Sequence, residues 1–427
     1  LRSTMVSIDN TQRSAEDAAA IERLNGANQA MLDETIKWAE HNTGSWNFDG
    51  LNAFAPTLAD AFSDLDADVR LDPGEPFEVV GKNGDIDTLE TGPILNVCAR
   101  PDAPIQVVMS GHYDTVFPPN TFETISDMGD GRVNGPGLAD MKGGLVVMLN
   151  ALKAFEASAL KDRLGYRIVV TPDEEIGNFA SAPALTEAAQ SGALIGMTYE
   201  PSMENGAFSG ARKGSAVYDA VIKGRAAHAG RAKEDGASAI EAAAKIVVAL
   251  EAMNGGRSGV SVNVGAIDGG SAVNIVPDTA IIRFGARAPT EQDAAWANDE
   301  ISEIIRRETE LEGLSGHLHG GFYRPPKPRN AAQEALFQAV TGAGKALGLS
   351  LEFVDTGGVC EGNNIFAAGV PNVDTLGVRG GRIHSADEFV TSDSFVERAS
   401  LSALILNRLA DGRIDGHKIK ELMTART

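Results

Sequence analysis

The hexapeptide GHYDTV, Gly111 to Val116, places His112 and Asp114 two residues apart directly after the apolar run Ile105 to Met109. An imidazole at a strand end can ligate a metal through one nitrogen. A nearby carboxylate then accepts the other ring N–H and fixes the tautomer. Such a pair also occurs as a plain surface hydrogen bond, so its meaning depends on what accompanies it. Four more acidic residues and a second histidine stand in comparable places. Asp140 lies in the glycine-rich NGPGLADMKGG, Glu174 and Glu175 follow the strand-like Tyr166 to Val170, Glu200 follows Leu194 to Tyr199, and His384 lies in GVRGGRIHSADE. Two imidazoles and several carboxylates, with only Cys98 and Cys360 as thiols, suit zinc or another borderline divalent ion. One carboxylate shared between two ions would make a two-metal site with ions about 3.5–4 Å apart. A carboxylate outside the ligand set could take a proton from water. The adjacent Glu174 and Glu175 fit that division, because neighbours on an extended segment point to opposite sides.

These residues must be positioned by strands whose exits converge. Apolar positions at helical spacing predict one long helix from Ala15 to Glu40. Short β-like runs at Phe77 to Val80, Ile94 to Cys98 and Ile105 to Met109 then follow without helices between them, so part of the sheet is expected to be antiparallel. Alternation resumes with a helix to about Phe155, the strand Tyr166 to Val170, a helix at Pro183 to Gln190 and the strand Leu194 to Tyr199. This order predicts an α/β layer, mixed but largely parallel and flanked by helices, with its chemistry at the strand C-terminal ends. From 213 to 326 the pattern becomes strand, helix, strand, strand, helix, strand, the order of a split βαβ (ferredoxin-like) unit. The proline-rich RPPKPRN, Arg324 to Asn330, reads as a hinge, and α/β alternation returns beyond it. The expected organisation is a catalytic, metal-binding domain of 1–212 and 327–427 interrupted by an inserted domain of 213–326.

A chain of 427 residues exceeds what one core usually organises, consistent with two domains. Its formal net charge of -22 repels nucleic-acid phosphates and anionic membranes, and no run of about 18 apolar residues is present to span a bilayer. Small molecules or peptides are the expected partners. Two cysteines exclude a disulfide framework. The sequence starts at Leu1 and its opening LRSTMVSIDN has no apolar signal core. A cytoplasmic location is expected, with a periplasmic or secreted mature form left open.

The motifs SGHYDTV, GPGLADMKGG, TPDEEIG, YEPS, GRAAHAG and IHSADE, in that order, resemble the M20 metallopeptidase family. The likeness is to its glutamate carboxypeptidase type, alongside acetylornithine deacetylase and succinyl-diaminopimelate desuccinylase, and it spans nearly the whole chain. The resemblance implies two zinc ions per subunit, with cobalt or manganese as alternatives. Asp140 would bridge them, His112 and Glu200 would hold one, and Glu175 and His384 the other. Asp114 would orient His112, and Glu174 would be the general base. A cis peptide is implied between Asp140 and Met141. The inserted domain would form a homodimer, across which His228 reaches the partner's site to stabilise the oxyanion. Asn274 and Arg287 match positions that hold the substrate's free carboxylate, a task suited to the planar guanidinium fork. Gly357 and Gly358 match a loop that lies against the substrate backbone.

The activity so implied is zinc-dependent hydrolysis of an amide bond to release a C-terminal amino acid. Removal of an acyl group from an N-acyl amino acid is the alternative, and a catalytically silent binding relative is the third reading. Retention of Glu174 beside five ligand candidates argues against the last. One departure concerns specificity: where many relatives have Ser or Thr followed by Asp, this chain has Cys360 and Glu361. Cys360 is not expected to be a nucleophile, because a metal-polarised carbonyl needs only water. His317 and His319 alternate on one strand and are read as one face of the inserted sheet.

Overall fold

The computed structural model describes residues 12–424, so the opening LRSTMVSIDN lies outside the described residues. The chain starts with α1 (Ala15–Leu24), capped by a reciprocal Ser14 and Asp17 box, and α2 (Asn28–Ala39). The single helix expected from 15 to 40 is therefore two. Asn25 leaves the helical region and Gly26 turns with φ +78°, a conformation that a side chain would disfavour. α3 (Phe48–Phe62) follows, with Leu51, Phe54, Ala55, Leu58 and Phe62 buried along one face. Next come β1 (Asp68–Asp72), the hairpin β2 (Phe77–Val80) and β3 (Ile86–Leu89), β4 (Ile94–Ala99), β5 (Ile105–His112), and the short β6 (Ser126–Asp127) and β7 (Arg132–Asn134). α4 (Gly143–Glu156), β8 (Leu164–Thr171), α5 (Ala182–Gln190), β9 (Ile195–Thr198) and β10 (Phe208–Arg212) complete the first part.

The central sheet has the order β1, β4, β8, β5, β9, with a last strand supplied from the C-terminal part. β1 and β4 run antiparallel to their neighbours, while β8, β5 and β9 are parallel. This is a mixed, largely parallel α/β sheet. The middle strands are apolar on both faces, as a sheet covered on both sides requires: Val107, Val108 and Met109 are fully buried. One face carries α1, α2, α3 and α4; Leu145, Met148, Leu152 and Phe155 of α4 join its core. α5 covers part of the other face.

β11 (Gly214–Lys223), α6 (Ala239–Ala252), β12 (Ser261–Gly269), β13 (Thr279–Ala288), α7 (Glu291–Thr309) and β14 (Ser315–Arg324) form a second, antiparallel sheet of order β12, β13, β11, β14. This is the strand and helix order read from 213 to 326. Alternation along β11 divides its side chains: Ala216, Tyr218, Ala220 and Ile222 pack with α6 and α7 in a separate core, and the intervening residues face the first sheet's part of the molecule. The two connecting segments are fastened together. Arg212 and Lys327 exchange backbone hydrogen bonds of 2.9 Å, and both side chains reach the buried Asp374, at 2.5 and 2.7 Å.

The chain returns with α8 (Ala331–Ala346), β15 (Phe353–Thr356), α9 (Glu361–Ala367), β16 (Asn372–Val373), β17 (Gly380–Gly381), β18 (Phe389–Thr391), α10 (Ser394–Ala410) and α11 (Gly416–Glu421). β16 is the sixth strand of the central sheet, parallel to β9. α9 joins α5 on one face and α10 packs on α4 across the other. β17, β18, β7 and β6 make a small sheet that carries the His384 loop. No helix of the described residues is long and apolar enough to cross a membrane.

Candidate metal centre

His112 ends β5, and its neighbours on the same sheet edge are the exits of β8 and β9. The loop before α4 brings Asp140 over that edge. Its approach depends on Gly144, where a Cβ would stand 2.0 Å from the Tyr199 carbonyl oxygen. The Asp140–Met141 peptide is cis, as the resemblance implied.

Asp140 lies between the two histidines. Its Oδ1 is 3.2 Å from His112 Nε2 and its Oδ2 is 3.2 Å from His384 Nε2. Glu175 Oε2 is 3.1 Å from His384 Nε2, and Glu200 Oε1 is 3.8 Å from His112 Nε2. Two sets of donor atoms lie within 4.8 Å of one another: His112, Asp140 and Glu175, and His112, Glu174 and Glu200. All five expected ligand residues are thus in one place, with Glu174 beside them.

The electrostatics of this cluster call for a cation. Burial, then the Asp140 charge, pushes the Glu175 carboxyl up to about 8, and burial with Asp140 and Glu174 raises Glu200 well above the usual range. Burial opposes the charged forms of His112 and Asp140 too, but their mutual bonding and that of Asp114 and His384 outweigh it, raising His112 and lowering Asp140. Bonds to Asp140 and Glu175 push His384 up to about 11. Asp140, Glu175 and Glu200 thus share a buried site whose only close cations among the described residues are protonated histidines, an arrangement that divalent ions would satisfy better. The donor set fits two such ions.

Asp114 contacts more than His112. His112 Nδ1 is 3.0 Å from the Asp114 carbonyl oxygen and 3.3 Å from its Oδ1. The same carboxylate accepts the Ser45 hydroxyl at 2.7 Å and the backbone N–H groups of both Glu174 and Glu175 at 3.1 Å. The two glutamates stand in a tight helical turn, Glu174–Ile176, and not on the extended segment assumed above. That turn is pinned to Asp114, and from it Glu174 reaches Arg324 while Glu175 reaches His384.

Sequence reasoning missed Arg324. It ends β14 and reaches back to place Nη2 2.8 Å from Glu174 Oε1, with both side chains buried. It also donates to the Glu174 carbonyl oxygen and, at 2.9 Å, to Asn178 Oδ1. Glu388 was missed as well, although it lies in the quoted IHSADE; its Oε1 accepts the backbone N–H groups of Ala139 and Asp140, at 3.0 and 3.1 Å.

A cavity of about 440 Å³ opens over the cluster, lined by Asp140, Glu174, Glu175, Glu200 and His384, and by the guanidinium groups of Arg212, Arg287 and Arg324. Arg212 is tied to Asp374 and Arg324 to Glu174. Arg287 donates only to the Ser215 hydroxyl and to its neighbour's carbonyl oxygen, and among the described residues it pairs with no carboxylate. Gly358 lines the cavity and the exposed Gly357 does not. Cys360 and Glu361 are fully buried outside it, with Thr171 donating to Glu361. Their effect on specificity is therefore not one of direct contact. His228 and Asn274 are exposed and lie apart from the cluster, joined to each other through the bridge of His228 with Ile275 and the hydrogen bond from Ala229 N to the Asn274 carbonyl. Asn274 and Arg287 are thus not brought together within one chain.

The model of peptidase family M20/M25/M40 matches residues 108–408, the stretch that holds every residue of this cluster. The chain belongs to that family. This M20 chain is 24% identical to carboxypeptidase G2 of a Pseudomonas species over 72% of its own length and 74% of the relative's. It is 26% identical to the succinyl-diaminopimelate desuccinylase of Marinobacter nauticus over 78% and 90% of the two chains. Its fold matches the M20 family metallo-carboxypeptidase Sso-CP2 of Sulfolobus solfataricus with a TM-score of 0.71 and 15% identity, covering 89% and 99%. It is accordingly a hydrolase of the M20 metallopeptidase type.

Proposed function

We propose that this enzyme hydrolyses an amide bond to release an amino acid with a free α-carboxylate, as a carboxypeptidase does. The observation that carries the reading is Arg287, a guanidinium without an acidic partner among the described residues, in the cavity that contains the carboxylate and histidine cluster. A fixed, unpaired fork in a half-enclosed cavity favours a carboxylate on the substrate. Relatives named carboxypeptidase G2 and succinyl-diaminopimelate desuccinylase support both this reading and its alternative, removal of an acyl group from an N-acyl amino acid. Both products end in a carboxylate that Arg287 can hold.

Asp140, with His112 and Glu200 on one side and Glu175 and His384 on the other, would hold two divalent ions, zinc first and cobalt or manganese as alternatives. When bound, such ions polarise the scissile carbonyl and make water acidic enough to yield hydroxide near neutral pH. Glu174 takes the proton from the attacking water and returns it to the leaving nitrogen. Arg324 keeps the Glu174 carboxylate aimed at the cavity while it does so, and Asp114 holds the turn from which it projects. Residues 213–326 act as an inserted dimerisation domain, supported by the separate core and by the exposed Val248, Ile267, Val273 and Ile275. In such a homodimer His228 and Asn274 serve the second copy's site, His228 at the oxyanion and Asn274 at the carboxylate.

The test is Glu174→Gln. The variant should bind two ions per chain, as the wild type does, with turnover lowered about 10² to 10⁴-fold, the usual worth of a general base. Near-normal turnover would remove Glu174 from that role.

A further inference from the structure

A second cavity, of about 590 Å³, adjoins the first and shares Ile176, Val217 and Arg287 with it. Its floor is the face of the second sheet turned away from α6 and α7. Three cross-strand rows lie on that face. Arg287, Ser215 and Arg324 form the row nearest the cluster; Asn263, Gly285, Val217 and Gly321 form the next; Arg283, Asp219 and His319 form the third. The outer rows are four residues apart along β11, about 13 Å. Between them Val217 is flanked by glycine on both sides, and a Cβ at Gly321 would meet nothing within 4 Å. The middle row is therefore a shallow, flat trough.

Aromatic and aliphatic side chains wall this trough. Phe179 and Tyr323 meet edge to face at 4.4 Å, Phe77 stacks on Phe179 at 5.6 Å, and Trp46 lies 6.4 Å from Phe77. Trp46, Ile86, Val217 and Tyr323 are 57%, 45%, 44% and 39% exposed, an apolar concentration that a free surface does not favour. The charges of the far row are spent internally: Arg283 pairs with Asp219 at 3.4 Å and with Asp268 at 2.5 Å. With Arg287 engaged by the substrate's α-carboxylate, an acidic side chain in the trough would find no second free guanidinium among the described residues.

Resting on the function proposed above, we propose that this trough receives an aromatic side chain of the released amino acid, and that the enzyme prefers phenylalanine, tyrosine or tryptophan to glutamate at that position. Arg287 fixes the orientation. The carboxylate it holds and the side chain leave the same Cα, so the cavity continuing past Arg287 is where the side chain goes. A benzyl or indolylmethyl group fits a cavity of this volume, lies flat on the Gly285, Val217 and Gly321 row, and gains edge contacts from Phe179 and Tyr323.

The test compares kcat/KM of the zinc-loaded enzyme on N-acetyl-phenylalanine, N-acetyl-alanine, N-acetyl-glutamate and N-benzoyl-alanine, in the wild type and in Gly321→Leu. That substitution fills the trough from a position with open space. Metal-free binding of N-acetyl-phenylalanine is read in parallel from Trp46 fluorescence, with Trp46→Phe to assign the signal. The wild type should favour N-acetyl-phenylalanine over N-acetyl-alanine and N-acetyl-glutamate by about 30-fold or more, and Gly321→Leu should reduce that ratio below about 5. Equal rates across the released residues, or a ratio that Gly321→Leu leaves alone, would overturn the inference. So would an aromatic preference that follows the benzoyl group instead of the released residue. If no substrate is hydrolysed but N-acetyl-phenylalanine still quenches Trp46, the function proposed above fails and the trough stands; if neither occurs, both fall.

Discussion

Replacing Arg324 with methionine removes the guanidinium from Glu174 while keeping most of the side-chain bulk. The pair is 2.8 Å apart and both side chains are about 93% buried, so the variant leaves a carboxylate without its cation in a poorly hydrated place. Breaking a buried pair from one side costs about 3–5 kcal/mol. Glu174 borders the cavity, where water can reach it in part, which puts the expected loss near the lower figure, about 3 kcal/mol. In a Glu174→Gln background the guanidinium is already a buried cation without its anion, so the same substitution loses charge-assisted bonds to Asn178 and the residue-174 carbonyl but also relieves an unpaired charge, a net cost of about 1–1.5 kcal/mol. The coupling between the two positions should thus be about 1.5–2 kcal/mol. Urea unfolding of the four metal-free proteins, followed by fluorescence of the buried Trp38, measures it. Turnover gives an independent reading: with the proposed base Glu174 no longer held, Arg324→Met should lose about 10²-fold in kcat with a smaller change in KM. Losses of stability that simply add, together with unchanged kcat, would refute the claim that Arg324 positions Glu174.

Two further outcomes follow from the same geometry. Asp114→Ala should weaken metal binding about 10 to 100-fold, measured by competition with a chromophoric chelator, because His112 loses its partner and the Glu174 turn loses its anchor. Burial pushes the Glu361 carboxyl up to about 8. The folded state then holds a proton that the unfolded chain releases near 4.5, so this group's stabilisation is complete below about 4.5 and is lost as pH rises toward 8. Urea midpoints of the metal-free protein should therefore fall more steeply between pH 5 and 8 in the wild type than in Glu361→Gln; equal slopes would contradict the buried, protonated state.

The carboxylate and histidine cluster was legible because each of its residues sits in a short motif at a strand exit or glycine-rich loop, and parallel strands bring those exits to one edge. Arg324 was not, since its partner lies 150 residues earlier and its own surroundings, RPPKPRN, read as a hinge. The aromatic wall was equally silent: Trp46, Phe179 and Tyr323 come from three distant segments, and no local periodicity joins them. α3 was left unassigned because Gly50 and Pro56 break its sequence pattern, although packing of Leu51, Phe54, Leu58 and Phe62 secures the helix. Gly26 had the opposite effect, splitting a helix that apolar spacing ran together. The separate directions of Glu174 and Glu175 were expected for the wrong reason, since nothing in TPDEEIG reveals that the pair forms a tight turn held by Asp114 in place of an extended segment.

The most direct measurement is a zinc titration of the metal-stripped protein, with bound metal and hydrolysis of an N-acyl amino acid and C-terminal peptide panel followed together. Two zinc ions should bind per chain, and hydrolysis, absent without metal, should return fully as the second is taken up. Hydrolysis that survives metal removal, or a chain that saturates at a single ion, would contradict a dinuclear centre built around Asp140.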